Sequence, residues 1–189
     1  MKKEAREIAE QLGFCNARKH DSQDICFVPN GDYVKFMEQY TGKQYPAGAF
    51  LDLEGQTVGR HCGAVRYTLG QRKGLGLAMG EPVYVCGKNM AANTVTVGPE
   101  NALYSSMLLA EDMNWISIPQ LKQPMRVKAK TRYRQAEQWA AVYPEQHGRV
   151  RLEFDVPQRA VTVGQAVVLY DGDVVVGGGT ICQAPPTKR

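Results

Sequence analysis

Apolar side chains recur at helical spacing in two short segments near the start of the chain. The first segment predicts a helix over residues 3 to 12, which Gly13 would end in a left-handed cap. The second predicts a helix with Asn30 or Asp32 as its N-cap and Thr41-Gly42 at its end. Its apolar stripe comprises Tyr33, Phe36, Met37 and Tyr40. We therefore expect two short amphipathic helices before residue 43.

From residue 43 onward, short β-like runs alternate with glycine, proline, asparagine and aspartate. Such runs predict strands. The expected strands are Ala49–Leu53, Val65–Leu69, Pro82–Lys88, Thr94–Val97, Met107–Ile116, Met125–Tyr133, Trp139–Tyr143, Val150–Phe154 and Val167–Tyr170. Asp171-Gly172-Asp173 predicts a tight hairpin, and Gly177 to Gly179 predict close packing or a bulge where a barrel closes. The pattern indicates a mainly β chain with a few helices, an α+β fold built on small barrels or a sandwich, with a boundary near Gly98–Ala102.

Composition narrows the class of protein. The chain has 189 residues, of which 43% are hydrophobic and 22% charged, typical of a globular protein. No apolar run is long enough to cross a bilayer and no signal peptide is recognisable, so we expect no membrane association. The cysteines are odd in number, scattered and without a CxxC pair. This pattern argues against a disulfide framework and a zinc site, and favours a cytoplasmic location.

A row of cations between residues 122 and 134 is the clearest binding signal. Cationic side chains occupy even positions there: Lys122, Arg126, Lys128, Lys130, Arg132 and Arg134. The odd positions are mainly apolar, so a strand would carry one almost entirely cationic face. The phosphates of a nucleic acid would suit such a face. The alternative is a solvated outer face, partly neutralised by Glu153 and Asp155 on a neighbouring strand.

A glycine-rich segment from Tyr67 to Gly76 is a second candidate. Its glycines would let the backbone approach another surface, and Gln71, Arg72 and Lys73 would supply donors for phosphate or a base edge. The segment lacks the P-loop pattern. An ordinary turn with exposed charges explains it equally well.

Cys26 is the candidate nucleophile. It lies in the extended run DICFV, on the same face as Asp24. That carboxylate would raise the thiol pKa, so activation would have to come from Arg18, Lys19 or His20, or from a segment outside these residues. The alternative is a packed, inert thiol. We interpret Cys15, Cys62, Cys86 and Cys182 as structural, and His61-Cys62 as too isolated to bind metal.

Four ordered motifs resemble those of the bacterial tRNA-specific 2-thiouridylases. They are DSQDICFVPNGDY, GRHCGAVRYTLGQRKGLGL, VKAKTRYRQ and AVTVGQAVVLYDGDVVVGGGTI. The resemblance covers essentially the whole chain. The chain is similar only to the C-terminal part of the enzymes in this family. It implies that an ATP-pyrophosphatase domain with an SGGxDSS-type loop and a first catalytic cysteine lies outside these residues. ATP would bind there, and these residues alone would be inactive.

The resemblance also implies residue roles. Cys26 would carry a persulfide, supplied by a sulfur-relay protein or other persulfide donor, and would form a disulfide with the first cysteine. Arg132, Tyr133 and Gln165 match family positions that contact tRNA, in agreement with the cationic row. Lys128, Lys130, Arg134, Arg72 and Lys73 extend the expected tRNA-binding set. Because Tyr133 would face away from Arg132 in a regular strand, we expect a strand end or bulge there.

The expected domains follow from the same resemblance. Residues 1–33 would form a helix and cysteine segment belonging with the N-terminal domain, with the Cys26 segment loosely held. Residues 34–100 would form a small central β-rich domain, 101–186 a C-terminal β-barrel and 187–189 a tail. Two alternatives remain: a non-catalytic RNA-binding β-barrel module, and a translation-factor-like barrel that binds protein.

Overall fold

A computed structural model describes residues 2–15, 17, 28 and 32–186. The chain divides into two compact units, Met1–Gln44 and Tyr45–Arg189. Cys26 and most of its motif lie outside the described residues, so the expectation that this segment is loosely held stays a prediction. Neither helix in the described part of the chain is long and apolar enough to cross a bilayer.

The first unit contains both predicted helices. Helix α1 spans Lys2–Gln11, and Gly13 follows with a φ of 73°, as a left-handed cap requires. Helix α2 spans Tyr33–Thr41. Asp32 caps it by accepting a hydrogen bond from the Lys35 amide at 3.0 Å, and Gly42 ends it with a φ of 66°. These helix predictions are confirmed.

The predicted apolar stripe of α2 is only partly right. Val34 is the buried residue of the helix, whereas Tyr33 and Tyr40 are exposed. The rings of Phe36 and Tyr40 stack with centroids 5.9 Å apart. Phe36 and Met37 are half-buried, so the buried face of the helix includes part of the predicted stripe and adds Val34 to it.

The second unit begins with a four-stranded sheet. Its strands are β1 (Gly48–Leu51), β2 (Thr57–His61), β3 (Tyr84–Asn89) and β4 (Thr94–Gly98), in the order β2-β1-β4-β3. The central pair β1 and β4 is parallel, and the outer pairs are antiparallel. Phe50, Val85 and Val95 are fully buried, and Tyr67 and Leu75 from the following loops pack on them. The glycine-rich segment is thus anchored to this core.

Two details of this sheet differ from the sequence prediction. The predicted strand Val65–Leu69 is a short 3-10 helix, Ala64–Arg66, followed by a loop. Ala64 and Tyr67 are both buried there, a spacing of three that suits a helical turn and not an alternating strand. Strand β2 was not predicted, because its sequence TVGRH carries little apolar signal.

The remaining strands close into a six-stranded barrel. They are β5 (Tyr104–Trp115), β6 (Met125–Lys130), β7 (Gln138–Pro144), β8 (Val150–Arg159), β9 (Ala166–Asp171) and β10 (Val174–Gln183). Their order is β10-β5-β8-β7-β6-β9. Alternate side chains point inward, so the interior is filled by fully buried residues such as Leu108, Val127, Leu152, Leu169 and Ile181. The predicted α+β class, with a β-rich region followed by a barrel, is confirmed.

Glycines allow β10 to close the barrel. Asp171 pairs with Val174, which confirms the tight turn between β9 and β10. The register shifts near Gly177 and between Gly178 and Thr180, as expected for bulges. A Cβ on Gly178 would lie 2.8 Å from the Val167 carbonyl oxygen, so a side chain would clash with the neighbouring strand. The predicted domain limits at 33/34 and 100/101 remain predictions.

Candidate nucleic-acid interface

Three cations of the row lie on the outer face of β6, and Lys122 precedes this strand. Arg126, Lys128 and Lys130 point outward, whereas Val127 and Ala129 are buried in the barrel. The predicted alternation is therefore confirmed for this strand. The strand ends at Lys130 and not at Tyr133, so the cations that follow leave the row.

Neighbouring carboxylates neutralise much of this face. Asp155 accepts two hydrogen bonds from the Arg126 guanidinium, which lower the pKa of Asp155 and raise that of Arg126. Glu137 lies 3.9 Å from Lys128 Nζ and 3.5 Å from Lys130 Nζ. The expected cationic face is confirmed for the strand, and carboxylates from outside the strand partly neutralise it, as the alternative interpretation proposed.

Of the two anions expected to neutralise the row, only Asp155 contacts it. Glu153 bonds instead to Arg151 on its own strand. Glu137 was missed, because it precedes β7 and its proximity to the lysines depends on how β6 and β7 pair.

Aromatic rings lie beneath the β6 cations. Lys128 stands opposite Trp139 on β7 and Tyr170 on β9. Arg126 Cζ and Lys128 Nζ lie 5.4 and 5.5 Å from the centroid of the Trp139 ring. Lys130 Nζ lies 5.4 Å from the Tyr170 ring. Sequence reasoning missed these rings, since strand register alone brings them to the cations.

A turn after β6 gives the side chains of Arg132 and Tyr133 different surroundings, with Arg132 half-buried and Tyr133 exposed. The Gln135 amide donates to the Arg132 carbonyl at 3.2 Å, and Thr131 Oγ1 hydrogen-bonds Gln135 Oε1 at 2.9 Å. Tyr133 is 97% exposed, and Arg134 is also exposed. The expected strand end near Tyr133 is confirmed, and it presents a bare aromatic ring to solvent.

Arg132 points from this turn toward the seam between the barrel and the four-stranded sheet. Its Nη2 donates to the Ala160 carbonyl oxygen at 2.7 Å and to Thr162 Oγ1 at 3.2 Å. The Leu69 carbonyl oxygen, in the loop of the sheet, lies 3.5 Å from the same nitrogen. The guanidinium therefore bridges the two structures.

The glycine-rich loop reaches the barrel at Gly70. A Cβ at this position would lie 3.1 Å from the Ala160 Cβ, and the φ of Gly70 is 83°. Both constraints favour glycine. The main chain of Gly70 and Gln71 pairs with Val85 of β3 at 2.8 and 2.9 Å. The base of the loop is thus fixed on both sides.

Gln71 shapes the loop from within. Its Oε1 accepts from the Thr68 amide at 3.0 Å, and its Nε2 donates to the Lys73 carbonyl at 3.0 Å. One of the two Nε2 hydrogens is thus used within the loop, and the expectation that Gln71 supplies a donor for phosphate or a base edge stays a prediction. Arg72 and Lys73 are exposed, and neither takes part in an ion pair within the described residues.

Gln165 lies in the loop that precedes β9. Its backbone carbonyl accepts a hydrogen bond from the Ile181 backbone amide at 2.8 Å, and its backbone amide donates to the Thr162 carbonyl at 3.2 Å. Its side chain is exposed. Thr162 thus contacts both Gln165 and Arg132. The structure brings Arg132, Gln165 and the base of the glycine-rich loop to one seam. Lys128 and Lys130 lie apart from it on the outer barrel face.

The described cysteines are free thiols. Burial raises the pKa of Cys86 and of Cys182, and a packing role fits both. Cys15 and Cys62 are exposed, so the expectation of a structural role is wrong for them. No group of three or more histidine, cysteine or acidic side chains among residues 2–15, 17, 28 and 32–186 could hold a metal ion.

A cavity of about 1150 Å³ opens between the four-stranded sheet and the barrel. Apolar side chains such as Leu53, Val97, Leu103 and Val161 line it. None of the residues expected to bind tRNA lines it, but the cavity adjoins the seam at Leu69, whose carbonyl oxygen faces Arg132.

The chain matches three domain models and several curated proteins. Models of the tRNA methyl transferase HUP domain, the tRNA methyl transferase PRC-barrel domain and the aminomethyltransferase beta-barrel domain match residues 1–30, 34–99 and 105–181. The tRNA-specific 2-thiouridylase MnmA of Acetivibrio thermocellus is 53% identical over 95% of this chain and 50% of its own length. The protein of the same name from Heliobacterium modesticaldum is 50% identical over 95% of this chain and 47% of its own length. That from Koribacter versatilis is 48% identical over 96% of this chain and 50% of its own length.

The chain spans about half the length of these relatives. Within that span, the three successive domain models and the high identity agree on one assignment. The chain belongs to the tRNA-specific 2-thiouridylase family.

Proposed function

We propose that this chain is the tRNA-binding and persulfide-carrying portion of a tRNA-uridine 2-sulfurtransferase, which uses ATP to replace the C2 oxygen of the wobble uridine with sulfur. The observation that supports this best is the seam where Arg132, Gln165 and the glycine-rich loop meet beside the exposed Tyr133. These elements are far apart in the sequence and close in the fold. Their convergence suits one extended ligand.

The proposed tRNA surface combines charge, stacking and hydrogen bonding. Arg72, Lys73 and Arg134 are exposed, form no ion pair with any described residue, and would meet phosphates. Tyr133 would stack on a base, and the exposed Gln165 amide would hydrogen-bond a base edge or ribose. Lys128 and Lys130 would add attraction once phosphate competes with Glu137.

Cys26 would carry the transferred sulfur. Its thiolate would attack the outer sulfur of a donor persulfide, held by a sulfur-relay protein, and the donor thiolate would leave. The terminal sulfur on Cys26 would then attack C2 of the uridine, whose oxygen departs with AMP after activation by ATP in the N-terminal domain of the family. A second cysteine, in that domain, would break the remaining sulfur–sulfur bond and form a disulfide with Cys26. A thiol reductant would supply two electrons to restore both thiols.

Cysteine substitution tests this proposal. In the protein of the relatives' full length, Cys26→Ser should abolish thiolation of tRNA and leave tRNA affinity unchanged. Cys62→Ser removes an exposed free thiol and is the matched control, which should keep full activity. Thiolation by the Cys26→Ser protein would instead favour the alternative in which this chain is a non-catalytic RNA-binding module and Cys26 is a packed thiol.

The proposed partners of the chain are tRNA and a sulfur-relay protein. We therefore propose that the reaction takes place in the cytoplasm.

A further inference from the structure

We propose that Gln135 and Gln158 are positioning residues for tRNA binding. With Thr131 they form a series of side-chain hydrogen bonds, the glutamine bridge, which would hold the turn after β6 so that Arg132 and Tyr133 meet tRNA in one fixed arrangement. The inference rests on the proposed function and adds to it the residues that act through this turn.

Gln135 ties the turn together from within. Its backbone amide donates to the Arg132 carbonyl at 3.2 Å, and its side-chain Oε1 accepts a hydrogen bond from Thr131 Oγ1 at 2.9 Å. The backbone hydrogen bond encloses Tyr133 and Arg134, which are both exposed. One glutamine thus fixes the backbone of the turn and its junction with β6.

Gln158 anchors the turn to a different strand. Strand β8 pairs with β7 as far as Phe154 and then continues to Arg159 beside β5. Gln158 lies in that extension, and its Oε1 accepts a hydrogen bond from Gln135 Nε2. Its own Nε2 donates to the Val156 carbonyl. The turn is therefore held by a strand that does not adjoin β6 in the barrel.

The last acceptor sets the direction of every hydrogen bond in the glutamine bridge. A backbone carbonyl can only accept, so the Gln158 amide points its Nε2 at Val156 and its Oε1 toward Gln135. Gln135 then offers Nε2 to Gln158 and Oε1 to the Thr131 hydroxyl. Each side chain has one orientation that satisfies its neighbours, which favours one position of the turn.

Two members of the glutamine bridge are too buried to touch tRNA. Thr131 is 2% exposed and Gln158 is 3% exposed, whereas the Tyr133 ring projects into solvent. A substitution of either buried residue would therefore reach tRNA only through the turn. Because a buried polar group that loses its partner is costly, each break in the bridge would favour other conformations of the turn.

Trypsin measures the turn without tRNA, because the exposed Arg134 is a cleavage site on it. Thr131→Val and Gln158→Met nearly keep the size of the side chain but remove its hydrogen bonds. Both should raise the rate of cleavage after Arg134 about fivefold, as expected when a buried hydrogen bond that opposes local opening is lost. Thr131→Ser retains the hydroxyl and should be cleaved like the unsubstituted chain.

Val150→Ala is the control for general destabilisation of the barrel. Val150 is buried at the opposite end of β8 from Gln158, and its truncation leaves a cavity there. The rate of cleavage after Arg134 should not change in this variant, because the glutamine bridge stays intact.

Binding assays connect the turn to tRNA. Thr131→Val and Gln158→Met should each weaken tRNA binding about fivefold, since each removes a hydrogen bond that favours the binding position of the turn. Thr131→Ser and Val150→Ala should leave the affinity unchanged. In Tyr133→Ala protein, Gln158→Met should have a much smaller effect, because the stacking ring that it misplaces is already gone.

A merely structural role for the glutamine bridge predicts different results. Val150→Ala would then weaken tRNA binding as much as Gln158→Met does, and the effects of Gln158→Met and Tyr133→Ala would add. Either outcome would overturn the inference, as would unchanged tRNA affinity or unchanged trypsin cleavage in Thr131→Val and Gln158→Met protein. Failure of the unsubstituted chain to bind tRNA would count against the proposed function, and the trypsin rates would still decide whether the bridge holds the turn.

Discussion

His61 Nε2 faces the Asn93 carbonyl oxygen at 3.2 Å, across the edge of the four-stranded sheet. The Gly63 amide donates to the other ring nitrogen, Nδ1, at 3.0 Å, so the proton lies on Nε2. The imidazole is 1% exposed and packs edge-on against Phe50 and Tyr67. Burial lowers its pKa, which keeps the ring neutral in the folded protein.

The neutral state of His61 predicts a pH-dependent stability. Because the pKa is lower in the folded than in the unfolded chain, the unfolded chain binds more protons as pH falls below about 6.5. Stability should therefore be fully present above that pH and decline as pH falls toward the folded pKa. Denaturant unfolding at pH 7.5 and pH 5.5 measures the decline.

His61→Gln provides the comparison for this titration. The variant should be less stable at both pH values but should lose less stability on acidification. An equal loss in both proteins would show that His61 does not carry the effect. His147→Gln, which replaces an exposed histidine, should behave like the unsubstituted chain.

Barrel closure predicts unequal tolerance of two glycines. A Cβ at Gly178 would lie 2.8 Å from the Val167 carbonyl oxygen, whereas one at Gly87 would meet Thr96 side-chain atoms at 3.6 Å and beyond. Gly178→Ala should therefore lower the free energy of unfolding by about 1–3 kcal/mol. Gly87→Ala should cost well under that amount, as measured by the same denaturant titration. Equal losses would contradict the close approach of β9 and β10.

Sequence patterns identified the elements whose signal is local. Asp32 and Gly42 flank a helical apolar pattern, and Gly172 lies in a turn between alternating strands, so both features followed from short-range chemistry. Strand β2 was not predicted because TVGRH carries little apolar character, and its terminal His61 packs against Phe50 and Tyr67, which lie outside the strand.

In the candidate interface, too, local sequence patterns predicted some features, whereas contacts between distant residues determine the others. Alternation alone predicted which side of β6 bears its cations. It could not supply Glu137 and Trp139, which reach Lys128 through strand pairing. Nor could it show that Arg132 turns into the seam, because Ala160 and Leu69 are brought there by the tertiary fold.

The pairing of Glu137 with two lysines predicts a gain-of-binding variant. Glu137→Gln would free Lys128 and Lys130, so tRNA affinity at low salt should rise a few-fold and the salt dependence should steepen. Glu111→Gln frees Arg149 elsewhere on the barrel and is the matched control. Equal changes in the two variants would show that the outer face of β6 makes no particular contribution to tRNA binding.

Equilibrium binding of tRNA at a fixed salt concentration tests the central claim most directly. Tyr133→Ala with Gln165→Ala should weaken binding at least about tenfold, since stacking of a base on one aromatic ring alone contributes about 1–3 kcal/mol. The control, Ile116→Ala with Gln146→Ala, replaces an exposed apolar residue and an exposed glutamine elsewhere on the barrel and should bind like the unsubstituted chain. Equal affinity of the two double variants would contradict the proposal that tRNA binds at the seam.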